Sequence, residues 1–297
     1  MVRFRPEMRN LQPGRRQPAS LETDSATAGS KLEHPEPAGS PEPSKGSTIL
    51  NKELTNRSAT ETQLGEELKA LTGECLNRFT GEWNNHLAVT LKRQTLSRLL
   101  YWDQLYRQIL EKPGVICEFG VQWGASLAQL INLRGIYEPY NISRLIYGFD
   151  TFSGFESVDV KDGGFSEKGD YATSTGYETV LEKLLDIHEA FCPVSHKKKF
   201  QLIKGDASVT VKQWLTDNPS AIIGMAIFDM DVYKPTKDVL EAILPRLAKG
   251  SLLVFDELNC PHFPGETRAV DEVLKINNLR LRHFPHQPYC AWAVYGE

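Results

Sequence analysis

Cysteine is scarce in this chain, and none of it has the spacing of a metal site or a disulfide framework. The five cysteines, an odd number in 297 residues, are widely scattered and form no C-x-x-C pair. Zinc sites and disulfide-stapled scaffolds depend on closely spaced or evenly paired cysteines, so both classes are disfavoured. We therefore expect free thiols in a reducing cytoplasm.

Long apolar runs and an excess of positive charge are absent as well. No stretch approaches the roughly 18 apolar residues of a membrane span, and the opening MVRFRPEMRNLQPGRRQPAS has no apolar segment of a secretory signal. The formal net charge is -4, so no basic stripe is expected to track a phosphate backbone. These absences disfavour membrane and nucleic-acid partners and favour a small-molecule ligand, while homo-oligomerisation stays open.

Composition divides the chain into three parts. Residues 1–48 are dominated by Pro, Gly, Ser, Glu and Arg, and this composition predicts a disordered extension. Residues 49–112 regain apolar residues at helical spacing and predict a helical lead-in to a main domain at residues 113–297. One face of the lead-in is predicted to carry Leu96, Leu99, Leu100, Leu105, Ile109 and Leu110.

Short apolar runs alternate with helical segments through the main domain. Five runs of strand length, VICEFG, RLIYGFD, FQLIKGD, GMAIFDM and SLLVFDE, are separated by segments with helical periodicity such as YETVLEKLLDIHEAF. This alternation predicts an α/β fold with a parallel sheet covered on both faces by helices. The last two runs, LRLRHFP and YCAWAVYG, predict a terminal antiparallel hairpin.

Acidic residues stand at or just after the end of each of the five predicted strands. They are Glu118, Asp150, Asp206, Asp229 and the adjacent pair Asp256 and Glu257. In an open doubly wound sheet the ligand lies outside the carboxyl ends of the strands. Any one of these carboxylates could instead cap a helix. An acidic residue at the end of all five predicted strands nevertheless indicates a ligand site.

The loop after the first strand, in EFGVQWGAS, differs from a phosphate-binding turn. Gln122 replaces the second glycine of the dinucleotide fingerprint G-x-G-x-x-G, the glycine that lets the backbone approach a pyrophosphate. Glu118, two residues before Gly120, would repel a phosphate and suits a positively charged ligand. With an acid 32 positions later at Asp150, the pattern indicates an adenosine with a cationic amino-acid tail, which is S-adenosylmethionine.

Five segments together resemble the macrocin O-methyltransferase family of class I methyltransferases: EFGVQWGAS, GFDTFSGF, KGD, FDMDVYKPTKDVLEAILPRLAKGSLLVFDE and FPGETRAVDEV. The resemblance covers residues 79–297. It implies a Rossmann-like sheet of seven mostly parallel strands, with an antiparallel last strand and helices on both faces. It also implies magnesium-assisted transfer of a methyl group from S-adenosylmethionine to a hydroxyl of a sugar or another small natural product.

The same resemblance assigns cofactor-binding roles to residues at the first three strand ends. Asp150 would accept hydrogen bonds from the ribose hydroxyls, and Asp206 would lie beside the adenine ring. The loop under the methionine moiety and the start of the following helix would be formed by Glu118, Gly120, Gly124 and Ser126.

Metal-binding and catalytic roles follow from the resemblance at the fourth and fifth strand ends. Asp229, Asp256 and Glu257 would coordinate Mg²⁺, which prefers oxygen ligands. The family more often has two aspartates at the end of the fifth strand, and the extra methylene of Glu257 shifts its oxygens. Asp229, or alternatively His262 in the following loop, would accept the proton of the acceptor hydroxyl.

Three nearby side chains are predicted to be structural. Asp231 lies two residues after Asp229 in an extended segment, so its side chain is predicted to point to the opposite face. Trp83 and Trp123 are predicted to pack in the core rather than to shape an acceptor pocket.

Two other functions stay open at this stage. The D-x-D of Asp229 and Asp231 could hold a nucleotide-sugar diphosphate through a metal, as in a glycosyltransferase. That hypothesis leaves Glu118, Asp150 and Asp206 without a role, and no basic residue for the diphosphate is evident. A methyltransferase-like fold retained as a non-catalytic binding module is the second alternative.

Overall fold

The computed structural model describes residues 58–81 and 83–297. The predicted disordered extension, residues 1–48, lies outside the described residues. Within the described ranges, no helix has the length and apolar character needed to cross a membrane. The five cysteines are free thiols, as predicted.

A seven-stranded sheet with strand order β3-β2-β1-β4-β5-β7-β6 forms the centre of the fold. Strands β1 to β5 pair in parallel, whereas β7 is antiparallel to both β5 and β6. The predicted strands and the terminal hairpin are therefore confirmed. Their bounds are β1 Val115–Phe119, β2 Ile146–Asp150, β3 Phe200–Lys204, β4 Ile223–Phe228, β5 Leu247–Phe255, β6 Arg282–Phe284 and β7 Gln287–Val294.

Helices precede the sheet and connect its parallel strands. Short 3₁₀ turns span Leu87–Thr90, Val160–Asp162, Leu244–Arg246 and Ile276–Asn278. The α-helices within the described residues are α1 Ala59–Arg78, α2 Trp83–His86, α3 Arg93–Gln108, α4 Ala125–Tyr137, α5 Tyr177–Phe191, α6 Ala207–Asp217, α7 Tyr233–Ile243 and α8 Pro264–Leu274.

Two apolar clusters lie on opposite faces of the sheet. Leu105, Leu127 and Leu185 bring α3, α4 and α5 against one face, and helices α6, α7 and α8 pack on the other. Because side chains alternate along a strand, Ile116 of β1 joins the first cluster and Cys117 the second. Helices on both faces of a mostly parallel sheet confirm the predicted α/β class.

The helical lead-in buries only part of the face that was predicted. Leu105 and Ile109 are fully buried, as predicted, whereas Leu96, Leu100 and Leu110 are exposed. The leucine stripe is not the buried face throughout, because the larger aromatic side chains of α3, Trp102 among them, bury apolar area against the sheet. This orientation turns Arg98 towards the carboxyl ends of the strands.

Candidate functional site

Stacked phenylalanines align the carboxyl ends of four neighbouring strands. Their ring centroids are 4.8 to 5.6 Å apart, and their backbones are register partners. Across β2, β1, β4 and β5 they are Phe149, Phe119, Phe228 and Phe255. The residues that follow them are, in the same order, Asp150, Gly120, Asp229 and Asp256. The strand-end residues therefore meet where the strand order reverses between β1 and β4, the usual ligand position in such sheets.

A cleft of about 310 Å³ opens at this edge of the sheet, within the range of small-molecule sites. Four of the predicted site residues are not among those that line the cleft within the described part of the chain: Glu118, Asp256, Glu257 and His262. The residues that line the cleft include Gly120, Gly124, Ser126, Asp150, Asp206 and Asp229.

Two glycines give the loop between β1 and α4 its close path. Gly120 has φ +90°, and a Cβ there would lie 1.8 Å from the carbonyl oxygen of Asp229. Gly124 has φ +74°, and its Cβ would lie 2.3 Å from Leu181 Cδ1. Both positions need glycine because a side chain would be strained and would also overlap a neighbouring segment. The loop therefore passes close to Asp229, just after β4, and to Leu181 of α5.

Glu118 is a fully buried carboxyl beneath this loop. Ser126 Oγ, in the first turn of α4, donates a hydrogen bond to Glu118 Oε1, whereas Oε2 has no partner within the described part of the chain. Burial raises the pKa of Glu118 to about 8, although Ser126 and Arg98 act in the opposite direction. A buried carboxyl with an unsatisfied oxygen favours a cationic or hydrogen-bond-donating ligand nearby.

Asp150 holds the loop that follows β1 through hydrogen bonds to its backbone amides. Its Oδ2 accepts hydrogen bonds from the amides of Val121 (2.6 Å) and Gln122 (2.8 Å), and its Oδ1 accepts one from the amide of Phe152 (2.5 Å). The carboxylate also lines the cleft. Since each carboxylate oxygen can accept more than one hydrogen bond, Asp150 can hold the loop and still bind a ligand hydroxyl.

Asp206 caps the helix after β3. Its Oδ1 accepts a 2.8 Å hydrogen bond from the amide of Ser208, the N-cap geometry that aspartate favours. Both residues also line the cleft. Asp206 therefore both caps α6 and lines the cleft.

Acidic side chains crowd the ends of β4 and β5. Enclosure and repulsion from Asp256 and Asp231 raise the pKa of Asp229 well above its usual range. Burial and the neighbouring Asp256 likewise raise the pKa of Glu257 to about 7. The site therefore holds several carboxyl groups close together, and their mutual repulsion favours the protonated form.

Glu266, from the first turn of α8, extends this cluster into the interior. It is fully buried, its Oε1 accepts a 3.1 Å hydrogen bond from the amide of Glu257, and its Oε2 has no hydrogen-bond partner among the described residues. Burial, with Asp231 nearby, raises the pKa of Glu266 well above its usual range. The segment after β5 is thus fixed by a carboxyl from the following helix.

Arg98 of α3 supplies positive charge to the cluster. Its Nη2 lies 2.5 Å from Asp256 Oδ1 and 3.6 Å from Asp229 Oδ2. Burial disfavours the charged guanidinium, but Asp256, Cys290 and Asp229 outweigh that cost and raise the pKa of Arg98 above its ordinary value. Arg98 lies far from the strand ends along the chain, so no local sequence pattern links it to the site.

The extended backbone predicted at Asp231 and the core packing predicted for Trp83 and Trp123 are wrong. Asp231 has φ +61°, so the segment after β4 is not extended there, and the residue lines the same cleft as Asp229. Trp123 is 43% exposed, lines the cleft and packs edge-on against Tyr177 with ring centroids 4.7 Å apart. Trp83 is 52% exposed rather than part of the core.

His262 is separated from the strand-end acids. It is exposed in the loop before α8, and its ring lies 5.2 Å from that of Phe165. It does not contribute to the lining of the cleft within the described residues. In this conformation Asp229, and not His262, faces the cleft.

The structure tests whether these acids are arranged as a metal site. Across residues 58–81 and 83–297, no three His, Cys, Asp or Glu side chains are grouped closely enough to hold a metal ion. The oxygen donors at Asp229, Asp256 and Glu257 are nevertheless the kind that Mg²⁺ prefers. The donor chemistry fits a divalent cation, and the guanidinium of Arg98 lies between two of the donors.

Comparison with solved structures decides the family. A crystal structure of CalS11, a calicheamicin methyltransferase, matches with a TM-score of 0.77 and 41% sequence identity, over 82% of this chain and 95% of CalS11. The chain belongs to the class I methyltransferases. The apo structure of CalS11, described as a TDP-rhamnose 3'-O-methyltransferase of calicheamicin biosynthesis, matches this methyltransferase with a TM-score of 0.73 and 39% identity, over 83% and 99% of the two chains.

The predicted class I fold of the methyltransferase is confirmed. No protein-family model and no curated protein matches the chain, so its narrower membership of the macrocin family stays a prediction. The individual roles assigned to the site residues also stay predictions. The glycosyltransferase hypothesis gains no support, since the matched protein is a methyltransferase.

Proposed function

We propose that this methyltransferase transfers a methyl group from S-adenosylmethionine to a hydroxyl of a sugar, with TDP-linked rhamnose as the first acceptor to test. The observation that carries the proposal is the cleft in which Asp229 lies close to the loop that follows β1. The 41% identity to CalS11, a sugar O-methyltransferase, supports the choice of acceptor.

The cleft residues fit S-adenosylmethionine in charge and shape. When bound, this cofactor supplies an electrophilic methyl group on a positively charged sulfonium. The orphaned Oε2 of Glu118 and the absence of side chains at Gly120 and Gly124 suit its cationic amino-acid portion. Asp150 is available to the ribose hydroxyls, and Asp206 lies in the wall next to α6.

Asp229 would accept the proton of the acceptor hydroxyl. Asp229 lines the cleft, whereas His262 does not within the described residues. His262 is the alternative base, and it would have to move from its exposed position against Phe165.

Aromatic rings beside the acids suit the apolar faces of a sugar. Tyr171, which lines the cleft, packs 6.1 Å from Phe263 and 5.4 Å from Phe155, measured between ring centroids. Binding sites for small molecules commonly combine such apolar walls with a few placed polar groups. These aromatic side chains would orient the sugar ring, and Asp229 would form a hydrogen bond with one sugar hydroxyl.

Magnesium assistance is part of the proposal. Asp229, Asp256 and Glu257 would hold the cation, because carboxylate oxygens are the donors that Mg²⁺ prefers. A divalent cation supplies Lewis acidity, which lowers the pKa of a nearby hydroxyl.

Replacing the two candidate bases separately tests this function. With S-adenosylmethionine and TDP-rhamnose, Asp229→Asn should lower kcat by about a hundredfold or more while the cofactor Kd is kept. His262→Ala should retain most of the activity. Loss of activity in His262→Ala with an active Asp229→Asn would transfer the base role to His262, and no transfer by the unmodified protein to any sugar would overturn the proposal.

A further inference from the structure

One end of the cleft is formed by two helices, α3 of the lead-in and α4 after β1, which are in contact. Arg98 and Trp102 lie one turn apart on α3, and Ser126 and Gln129 lie three residues apart on α4. Each pair therefore shares a helix face. All four residues line the cleft, and we call this part of its wall the helical end.

Two residues of the helical end have buried polar atoms that lack a partner. Trp102 is 1% exposed, and its Nε1 donates to no acceptor among the described residues. Oε1 of Gln129 is likewise enclosed and accepts from no donor there. A buried donor and a buried acceptor that stay unpaired are both unfavourable. A ligand that carries an acceptor and a donor at this end would satisfy both atoms.

Arg98 brings a positive charge to the same end. Among the described residues that line the cleft, only Arg98 and Lys234 are basic, and Lys234 pairs with Asp238 on its own helix. Arg98 Nη1 donates to Cys290 Sγ at 2.9 Å, and its Nη2 lies 2.5 Å from Asp256 Oδ1. A guanidinium has more N–H donors than these contacts use, so Arg98 retains donors for an anionic group of a ligand.

The strand order places the helical end where the amino-acid tail of S-adenosylmethionine would lie. In the proposed function, Asp206 after β3 and Asp150 at the end of β2 contact the adenosine. The order β3-β2-β1-β4 then takes an extended ligand past the loop after β1 towards β4. Arg98 lies on that side, since its Nη2 is 3.6 Å from Asp229, just after β4. The helical end is therefore at the opposite end of the ligand from the adenine.

We propose that the helical end binds the zwitterionic amino-acid tail of S-adenosylmethionine, with Arg98 and Trp102 on its α-carboxylate and Gln129 on its α-ammonium group. The inference rests on the proposed function, in which S-adenosylmethionine is the methyl donor. Trp102 Nε1 is a donor and suits a carboxylate, whereas Gln129 Oε1 is an acceptor and suits an ammonium group. Hydrogen bonds to charged groups are stronger than those between neutral groups. The helical lead-in is thus part of the cofactor site.

Calorimetric titration of the full chain with three ligands tests the inference. S-adenosylhomocysteine carries the whole amino-acid tail, its decarboxylated analogue carries only the ammonium group, and 5'-methylthioadenosine carries neither charged group. The unmodified protein should bind S-adenosylhomocysteine about a hundredfold more tightly than 5'-methylthioadenosine, because the contacts to both charged groups are lost with the tail.

Each variant should weaken only the ligands that carry the group it contacts. Arg98→Gln should weaken S-adenosylhomocysteine about tenfold to a hundredfold and Trp102→Phe about tenfold, and neither should weaken the decarboxylated analogue. Gln129→Leu should weaken both ligands that carry the ammonium group about tenfold and leave 5'-methylthioadenosine unchanged. The matched control is Arg107→Gln, which removes an exposed arginine paired with Asp103 on the same helix and should change no affinity.

A variant that weakens all three ligands equally acts through the fold, and this pattern would overturn the inference. Equal affinity of the unmodified protein for S-adenosylhomocysteine and 5'-methylthioadenosine would also overturn it, while leaving the proposed cofactor in place. Failure of the unmodified protein to bind any of the three ligands would overturn the cofactor of the proposed function as well. If Arg98→Gln does not fold, Trp102→Phe decides for the carboxylate, since phenylalanine keeps a buried aromatic ring and lacks the N–H donor. Unchanged binding of S-adenosylhomocysteine by Trp102→Phe and Gln129→Leu contradicts the inference.

Discussion

The carboxylate of Asp150 accepts a 2.6 Å hydrogen bond from the backbone amide of Val121. This bond ties the end of β2 to the loop that follows β1, and the amide of Gln122 donates to the same oxygen. Gln122 has φ +48°, a conformation that non-glycine residues adopt only when their surroundings hold them. The loop is therefore shaped by the protein itself before a cofactor binds.

Replacing Asp150 should weaken cofactor binding more than it destabilises the fold. Asp150→Ala removes the acceptor for the ribose hydroxyls and for the loop amides, so the Kd for S-adenosylhomocysteine should rise about a hundredfold. Calorimetry with this ligand and with its 2'-deoxy analogue separates the two roles. The unmodified protein should discriminate between the ligands, and Asp150→Ala should not. Equal discrimination by both proteins would restrict Asp150 to supporting the loop.

A methyl group added at Gly120 should destabilise the protein by several kcal/mol. Gly120→Ala would combine strain at φ +90° with a Cβ 1.8 Å from the Asp229 carbonyl oxygen. Gly73→Ala is the matched control, since it lies within α1 with no atom within 4 Å of its Cβ. That change should be neutral or stabilising by up to about 1 kcal/mol. Urea unfolding of both variants measures the difference, and a stable Gly120→Ala protein would refute the close approach.

Glu118 should make the cofactor-free protein less stable as pH rises. Its pKa is raised from 4.5 to about 8, so between these values the folded state keeps a proton that the unfolded chain has lost. Stability is therefore lost as pH rises through this window, by up to about 1.4 kcal/mol per unit. Glu118→Gln cannot titrate, so its stability relative to the unmodified protein should increase from pH 5 to pH 8. A constant difference in unfolding free energy would rule out the raised pKa.

Chelation should separate catalysis from cofactor binding. EDTA should reduce methyl transfer about a hundredfold or more, and added magnesium should restore it, since the proposed cation activates the acceptor. Asp256→Asn should be inactive with or without magnesium. The Kd for S-adenosylmethionine should stay constant in all these conditions, because Glu118, Asp150 and Asp206 are not metal ligands in the proposal. Full activity in chelator would contradict magnesium assistance and leave proton transfer to Asp229 or His262 alone.

The sequence predicts the sheet and its acidic edge because both depend on local patterns. Apolar runs ending in Phe149-Asp150, Phe228-Asp229 and Phe255-Asp256 fix strand type and end point together, and parallel pairing then brings the ends to one edge. The phenylalanine that precedes the acid in all three runs is a sequence signal of strand alignment.

Other features depend on tertiary packing or on a single backbone angle. Arg98 reaches the site because Trp102 and its neighbours turn α3 towards the sheet, and no spacing in the sequence links it to Asp256. Asp231 enters the cleft through a positive φ that an extended segment does not predict. Glu266 is buried behind Glu257 by the packing of α8.

Transfer of a ¹³C-labelled methyl group tests the central claim most directly. The full chain would be incubated with S-[methyl-¹³C]adenosylmethionine, magnesium and TDP-rhamnose, with Asp229→Asn as the inactive control, and the products examined by ¹³C nuclear magnetic resonance. The account predicts a labelled methyl ether on a sugar carbon, formed together with S-adenosylhomocysteine. A labelled methyl group on nitrogen, carbon or sulfur, or a product formed equally by Asp229→Asn, would contradict it.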